Sequence, residues 1–265
     1  MFTRIASGIQ LFHTDAGSGQ PVVLLHGFPL HHAMWQDQVD VLGKRYRVIA
    51  PDLRGFGLSG VGDEAVATMD RMADDVVELL DALEVRERIV LGGLSMGGYV
   101  ALAFWRKYAD RLRALIFCDT RCTADPPAMV RTRQETADRV LAEGIGWLIE
   151  GMTPKLLAPT TRENRPHAAE AMRRMALSCD PRGVAAASRG MAERSDFSEQ
   201  LSHITVPAMA VVGEHDTITP PDEMAELCRA MPHGRFVEIP EAGHMSPMEN
   251  PSEVNAAILE FLGSL

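Results

Sequence analysis

Ser95 stands in Gly92-Gly93-Leu94-Ser95-Met96-Gly97-Gly98, a single hydroxyl among four glycines. An apolar run, Ile89-Val90-Leu91, precedes it and an apolar helical pattern follows. G-x-S-x-G at a strand-to-helix junction is the setting of a serine nucleophile. The turn is so tight that side chains at positions 93 and 97 would collide, and the serine backbone is forced out of its ordinary conformations. The hydroxyl is thereby projected at a helix N-terminus, where the Met96 N–H can meet a developing oxyanion. Taken alone, the pentapeptide also fits a glycine-rich turn with an N-cap serine. A phosphate-cradling loop is disfavoured, because no Lys-Ser/Thr ending and no GxGxxG is present.

A serine needs a base, and the base needs an acid to fix its tautomer. His244 lies in IPEAGHMSPMENP, after the last expected strand, and Asp216 lies in VVGEHDTITPP, directly after an apolar strand. Ser95, Asp216 and His244 thus follow in nucleophile–acid–base order. The rival acid is Asp119, at the end of LIFCDT; it is expected to cap the first helix that follows. His215 is expected to point away. A second oxyanion donor is expected from His26-Gly27-Phe28-Pro29: Gly27 admits close backbone approach, and Pro29 leaves the Phe28 N–H free. Asp52 and Arg54, in DLRGFGLS, are expected to hold loop structure. His31 and His32 are adjacent and expected to point apart. No HxH or HExxH occurs, so no metal and no organic cofactor is expected.

These residues require a scaffold. Apolar strands are expected at 9–14, 21–26, 46–52, 88–93, 112–119, 206–213 and 235–240. Helices are expected at 68–83, 97–109, 222–231 and 255–262. Apolar strands alternating with amphipathic helices imply an α/β fold, a mostly parallel sheet flanked by helices. Between Thr120 and Leu201 the alternation stops, and helical segments punctuated by Pro126, Pro127, Pro154, Pro159, Pro166 and Pro181 take over. Residues 1–120 and 196–265 are therefore expected to form the core domain. A helical lid is expected over 121–195, inserted between two strands. The lid holds 12 Lys/Arg against 9 Asp/Glu, a net of +3, whereas the remainder carries −13. Trp147, Met129 and Met152, with Met172, Met175 and Met191, could line an adaptable apolar pocket or pack the lid onto the body.

In this arrangement HGFP, DLRGFGLS, GLSMGG, GEHDTITP and EAGHMSPMENP resemble the α/β-hydrolase superfamily, in order and at both ends of the chain. The chain is similar to small bacterial carboxylesterases and 3-oxoadipate enol-lactonase-like proteins. HGFPL with Trp35 also resembles cofactor-free haloperoxidases (perhydrolases). A serine nucleophile sets it apart from the haloalkane dehalogenase and epoxide hydrolase branches. The resemblance implies attack by Ser95 on the carbonyl of a small ester or lactone, proton relay by His244 and an acyl-enzyme released by water. Acyl transfer, diketone cleavage and a non-catalytic binding role are the alternatives.

The formal charge of −10 gives no footprint for nucleic acid or an anionic membrane. Four cysteines without CxxC spacing read as reduced thiols. MFTRIASGIQLF lacks a long apolar core, and no run is long enough to span a bilayer. A cytoplasmic location is the expectation.

Overall fold

The computed structural model describes residues 1–265. Eight strands form one sheet: β1 (Phe2–Arg4), β2 (Gln10–Ala16), β3 (Pro21–Leu25), β4 (Arg47–Pro51), β5 (Ile89–Leu94), β6 (Leu112–Cys118), β7 (Ala208–Gly213) and β8 (Gly234–Ile239). Their order is β1-β2-β4-β3-β5-β6-β7-β8; the pairings of β1 and β2 are antiparallel and the rest are parallel. β3, β5 and β7 are buried at every position, which is why they read as unbroken apolar runs rather than alternating ones.

The helices are α1 (Gln36–Leu42), α2 (Met69–Ala82), α3 (Met96–Tyr108), α4 (Pro127–Glu143), α5 (Gly146–Leu156), α6 (Pro159–Asn164), α7 (Pro166–Leu177), α8 (Pro181–Ala192), α9 (Pro221–Ala230), α10 (Ser246–Glu249) and α11 (Pro251–Gly263). α2 spans nearly the expected segment: Thr68 caps its N-terminus and Met72, Val76, Leu79 and Leu80 face the core. Three elements differ from the expectation. β1 is only three residues long, and the seven-residue α1 buries just Gln38, Val39 and Leu42. The four-residue α10 begins two residues after His244. All three are too short to carry a periodic signal.

Five helices, α4 to α8, separate β6 from β7. Pro127, Pro159, Pro166 and Pro181 each open a helix, where a missing N–H costs nothing; Pro154 lies inside α5. α8 rides on the body backbone to backbone. A Cβ at Gly183 would overlap Gly55, and one at Gly190 would overlap Ala67. The two glycines are two helical turns apart, so one face of α8 is a flat strip laid on the loops after β4. No helix is long and apolar enough to cross a membrane.

Candidate active site

Ser95 leaves β5 with φ 52° and ψ −110°, a left-handed conformation costly for any residue with a Cβ. A Cβ at Gly93 would overlap the Gly97 backbone, and one at Gly97 would overlap Leu25. The strained turn is held from both sides: Ser95 N–H donates to Cys118 O at 2.9 Å, and Thr120 Oγ1 donates to Ser95 O at 2.7 Å. Ser95 occupies the N-cap position of α3, yet its hydroxyl caps nothing. The N-cap alternative is thereby removed, and the hydroxyl is half-buried and uncommitted.

His244 and Asp216 come from the loops that follow β8 and β7, and both side chains are buried. His244 Nδ1 lies 2.8 Å from Asp216 Oδ2. The other carboxylate oxygen, Oδ1, accepts N–H bonds from Ile218 at 2.8 Å and Thr219 at 3.0 Å, while Thr219 Oγ1 donates to Oδ2 at 2.5 Å. Burial pushes the Asp216 carboxyl up, but the facing imidazole and these hydrogen bonds outweigh it and hold it below the ordinary value. An acceptor-only carboxylate on Nδ1 places the imidazole proton there and turns Nε2 into the basic nitrogen. The side chain of His244 bonds to Asp216 and Thr219 and not to Ser95 Oγ.

Asp119 is placed differently from the expectation. Helix α4 has Pro126 at its N-cap with no side-chain cap. Both oxygens of fully buried Asp119 are instead engaged inside the body: Oδ1 accepts from Gly213 N–H at 2.9 Å and Oδ2 from Ser246 Oγ at 2.5 Å. Burial, reinforced by the charge of Asp216, pushes its carboxyl well above the ordinary value. His215 is exposed.

The loop after β3 adjoins the serine: a Cβ at Gly27 would lie 3.7 Å from Ser95 Cβ. Phe28 N–H is absent from the loop's hydrogen bonds, whereas Leu30 N–H is taken by Gly27 O at 2.9 Å. Met96 N–H opens α3 and has no partner within its own first turn. Fully buried His26 braces this loop. Its Nε2 accepts from Leu53 N–H at 2.9 Å and its Nδ1 lies 3.0 Å from Gly27 O, while burial lowers its pKa to about 4.

Asp52 and Arg54 act as expected, within the supporting loop. Asp52 accepts from His32 N–H at 2.8 Å, His32 Nδ1 at 2.6 Å and Leu58 N–H at 2.9 Å. Buried Arg54 forks onto buried Asp75 and also reaches Glu64. His31 and His32 do not point apart. Their ring centroids are 5.0 Å apart, and with Asp52 they set three possible ligand atoms within 4.8 Å of one another. Both carboxylate oxygens of Asp52 are already taken up by His32 and Leu58.

Of the three expected pocket residues, Trp147 is half-buried, with the Arg139 guanidinium 4.0 Å from its ring centroid, Met152 is half-buried and Met129 is 41% exposed. None of them borders the 570 Å³ cleft between α7 and the body, which His31, Met34, Met175 and Met248 line. Sequence reasoning missed Thr219, Ser246 and Glu249. Only Thr219 left a local trace, because an aspartate whose carboxylate takes the N–H groups two and three residues on is a recurrent loop motif.

A family model for the alpha/beta hydrolase fold matches residues 20–251. A thermophilic esterase from Thermogutta terrifontis, solved with malate bound, is 48% identical, with a TM-score of 0.98 over 100% of this chain and 98% of that one. The enol-lactonase of Burkholderia xenovorans LB400 is 26% identical, with a TM-score of 0.90 over 99% of this chain and 100% of its own. A non-heme haloperoxidase of Rhodococcus erythropolis is 28% identical over 99% of both chains. With the eight-stranded sheet and the serine turn after its fifth strand, these matches make the chain a member of the α/β hydrolase fold family.

Proposed function

We propose that the chain hydrolyses small carboxylic esters or lactones through an acyl-enzyme on Ser95. The observation that carries this reading is the buried His244–Asp216 pair at 2.8 Å, in a protein whose one G-x-S-x-G serine sits on strained backbone with its hydroxyl uncommitted. His244 Nε2 takes the Ser95 proton as Oγ adds to the carbonyl carbon. The N–H groups of Phe28 and Met96 donate to the resulting oxyanion, and the ionised Asp216 stabilises the imidazolium. Collapse expels the alkoxide, which takes its proton from His244; water then repeats both steps and frees the acid. The helical insertion, residues 121–195, serves as the lid that selects the acyl group. Likeness to the Thermogutta esterase and the Burkholderia enol-lactonase supports the substrate class.

The test is release of p-nitrophenol from a short-chain p-nitrophenyl ester, together with labelling by a fluorophosphonate. Turnover and labelling that both vanish in Ser95→Ala are expected. Labelling at another residue, with Ser95 untouched, would overturn the assignment. Likeness to the Rhodococcus haloperoxidase favours one second reading, in which hydrogen peroxide replaces water and the acyl-enzyme leaves as a peracid. Adding hydrogen peroxide or an alcohol to the same assay distinguishes perhydrolysis and acyl transfer from hydrolysis.

A further inference from the structure

Glu249 is fully buried at the end of α10, and its carboxylate hydrogen-bonds to none of the three residues assigned to the chemistry above. Its carboxylate gathers N–H groups from two distant parts of the chain. Oε1 accepts from Gly243 at 2.9 Å and Met245 at 3.1 Å, the residues on either side of His244. Oε2 accepts from Ala158 at 2.7 Å, the residue that caps α6 within the insertion. A second tie runs parallel: Arg165, between α6 and α7, donates to the backbone carbonyl of Glu249. Gly243 also packs directly on the insertion, since a Cβ there would lie 2.6 Å from Ala158 N.

A buried carboxylate is costly unless every lone pair it turns inward finds a donor. Here it is the one side chain that fits, because three N–H groups converge and a carboxylate is all acceptor. A glutamine amide would set its own NH2 against at least one of them. Asp216 fixes the tautomer of the His244 ring, but nothing in that contact fixes the backbone that carries the ring. Glu249 does so from the far side.

We propose that Glu249 is a positioning residue, setting the backbone on both sides of His244 and tying that placement to the seating of the insertion at Ala158. The proposal rests on the hydrolase reading for its effect on turnover, but not for its effect on His244. Displacements of about 1 Å at a catalytic group cost about 100-fold in rate. Loosening the insertion at α6 therefore disarms the base without touching the triad.

The experiment compares the parent protein, Glu249→Gln and Arg165→Gln by thermal melt, by kcat and KM on p-nitrophenyl acetate, and by the low-field NMR signal of the His244 Nδ1 proton. That signal is identified by its loss in Asp216→Asn. Glu249→Gln is expected to lower kcat about 100-fold with KM within about three-fold, and to broaden or shift the His244 signal. Should Glu249→Gln fail to fold, Arg165→Gln decides, with a smaller fall in kcat and the same change in the signal. Unchanged kcat and an unchanged signal would overturn the proposal, even if the melt falls, because a packing role alone lowers only the melt. If the parent has no turnover, the hydrolase reading fails. The positioning role is then judged on the signal: altered in the variants it stands, unaltered it falls.

Discussion

Asp119 and Asp216 lie beyond adjacent parallel strands, but only Asp216 reaches His244; Asp119 bonds Ser246 two residues further on. Two carboxylates of the same type thus divide the work, one facing the imidazole and one bracing the loop that carries it.

Asp216→Asn is accordingly expected to fold and to lose about 10⁴-fold in turnover, as in a trypsin-type protease whose histidine is left in the wrong tautomer. Asp119→Asn keeps an acceptor for Gly213 N–H and can turn its NH2 to Ser246 Oγ, a hydroxyl that accepts as well as donates, so it is expected to cost only about 1 kcal/mol of stability, with turnover within about an order of magnitude of the parent. Thermal melts and saturating ester assays on both variants are the measurement. Normal turnover in Asp216→Asn with collapse in Asp119→Asn would move the acid one strand earlier.

The strained serine gives a prediction in the opposite direction. Ser95→Gly removes the hydroxyl and the Cβ that makes φ 52°, ψ −110° costly. Strain of about 1–3 kcal/mol is relieved, against about 1 kcal/mol of extra chain entropy for glycine. Ser95→Gly is expected to be inactive yet more stable than Ser95→Ala by about 1 kcal/mol in a denaturant titration. Equal stability of the two would mean that the turn stores no strain at this residue.

His26 makes stability depend on pH. Its folded pKa of about 4 lies below the ordinary 6.5, so between those values the unfolded chain binds a proton that the native ring refuses. Its stabilising contribution is intact above the ordinary value and is lost as pH falls through this window, by up to about 3 kcal/mol. His26→Gln keeps an acceptor for Leu53 and a donor for Gly27 without that proton. Between pH 7 and pH 5 the parent is expected to lose about 2 kcal/mol more than the variant. Parallel losses in the two would locate the titration elsewhere.

Trp147→Ala probes the insertion. With its ring under Arg139 and its Nε1 buried without a partner, Trp147 is more than surface cover. The variant is expected to shift the preference among acyl chain lengths while fluorophosphonate still labels Ser95 at the parent rate. A flat profile with lowered stability would assign Trp147 to packing alone.

The parallel sheet was legible because its strands are buried on both faces and its helices carry amphipathic stripes. The placement of Ser95, His244, Asp216, Phe28 and Met96 was legible for a related reason: each sits after a strand, where glycine or proline punctuation marks a turn. What escaped depends on partners remote in the chain. Glu249 meets Ala158 at a separation of 91 residues and Ser246 meets Asp119 at 127, and neither pairing leaves a spacing signal. The local position of Asp119 suggests a cap, but its partners lie on β7 and α10. Neighbours on a regular element should diverge; the turn that His31 and His32 occupy, gathered around Asp52, brings their rings together.

The strip of α8 laid on the body at Gly183 and Gly190 divides the insertion into unequal parts. A helix whose backbone contacts the backbone of another loop cannot be grafted alone, because the recipient must offer glycine at the position of Gly55 and the same chain path at Ala67. α5 to α7 make that demand at one place, where Gly243 of the body packs on the backbone of Leu157 and Ala158, and they end at natural seams, Gly144 at φ 79° after α4 and the Asp180 cap before α8. Chimeras that exchange residues 145–179 between relatives should keep the frame and change only what it covers, provided the donor keeps an N–H for Glu249 at the position of Ala158.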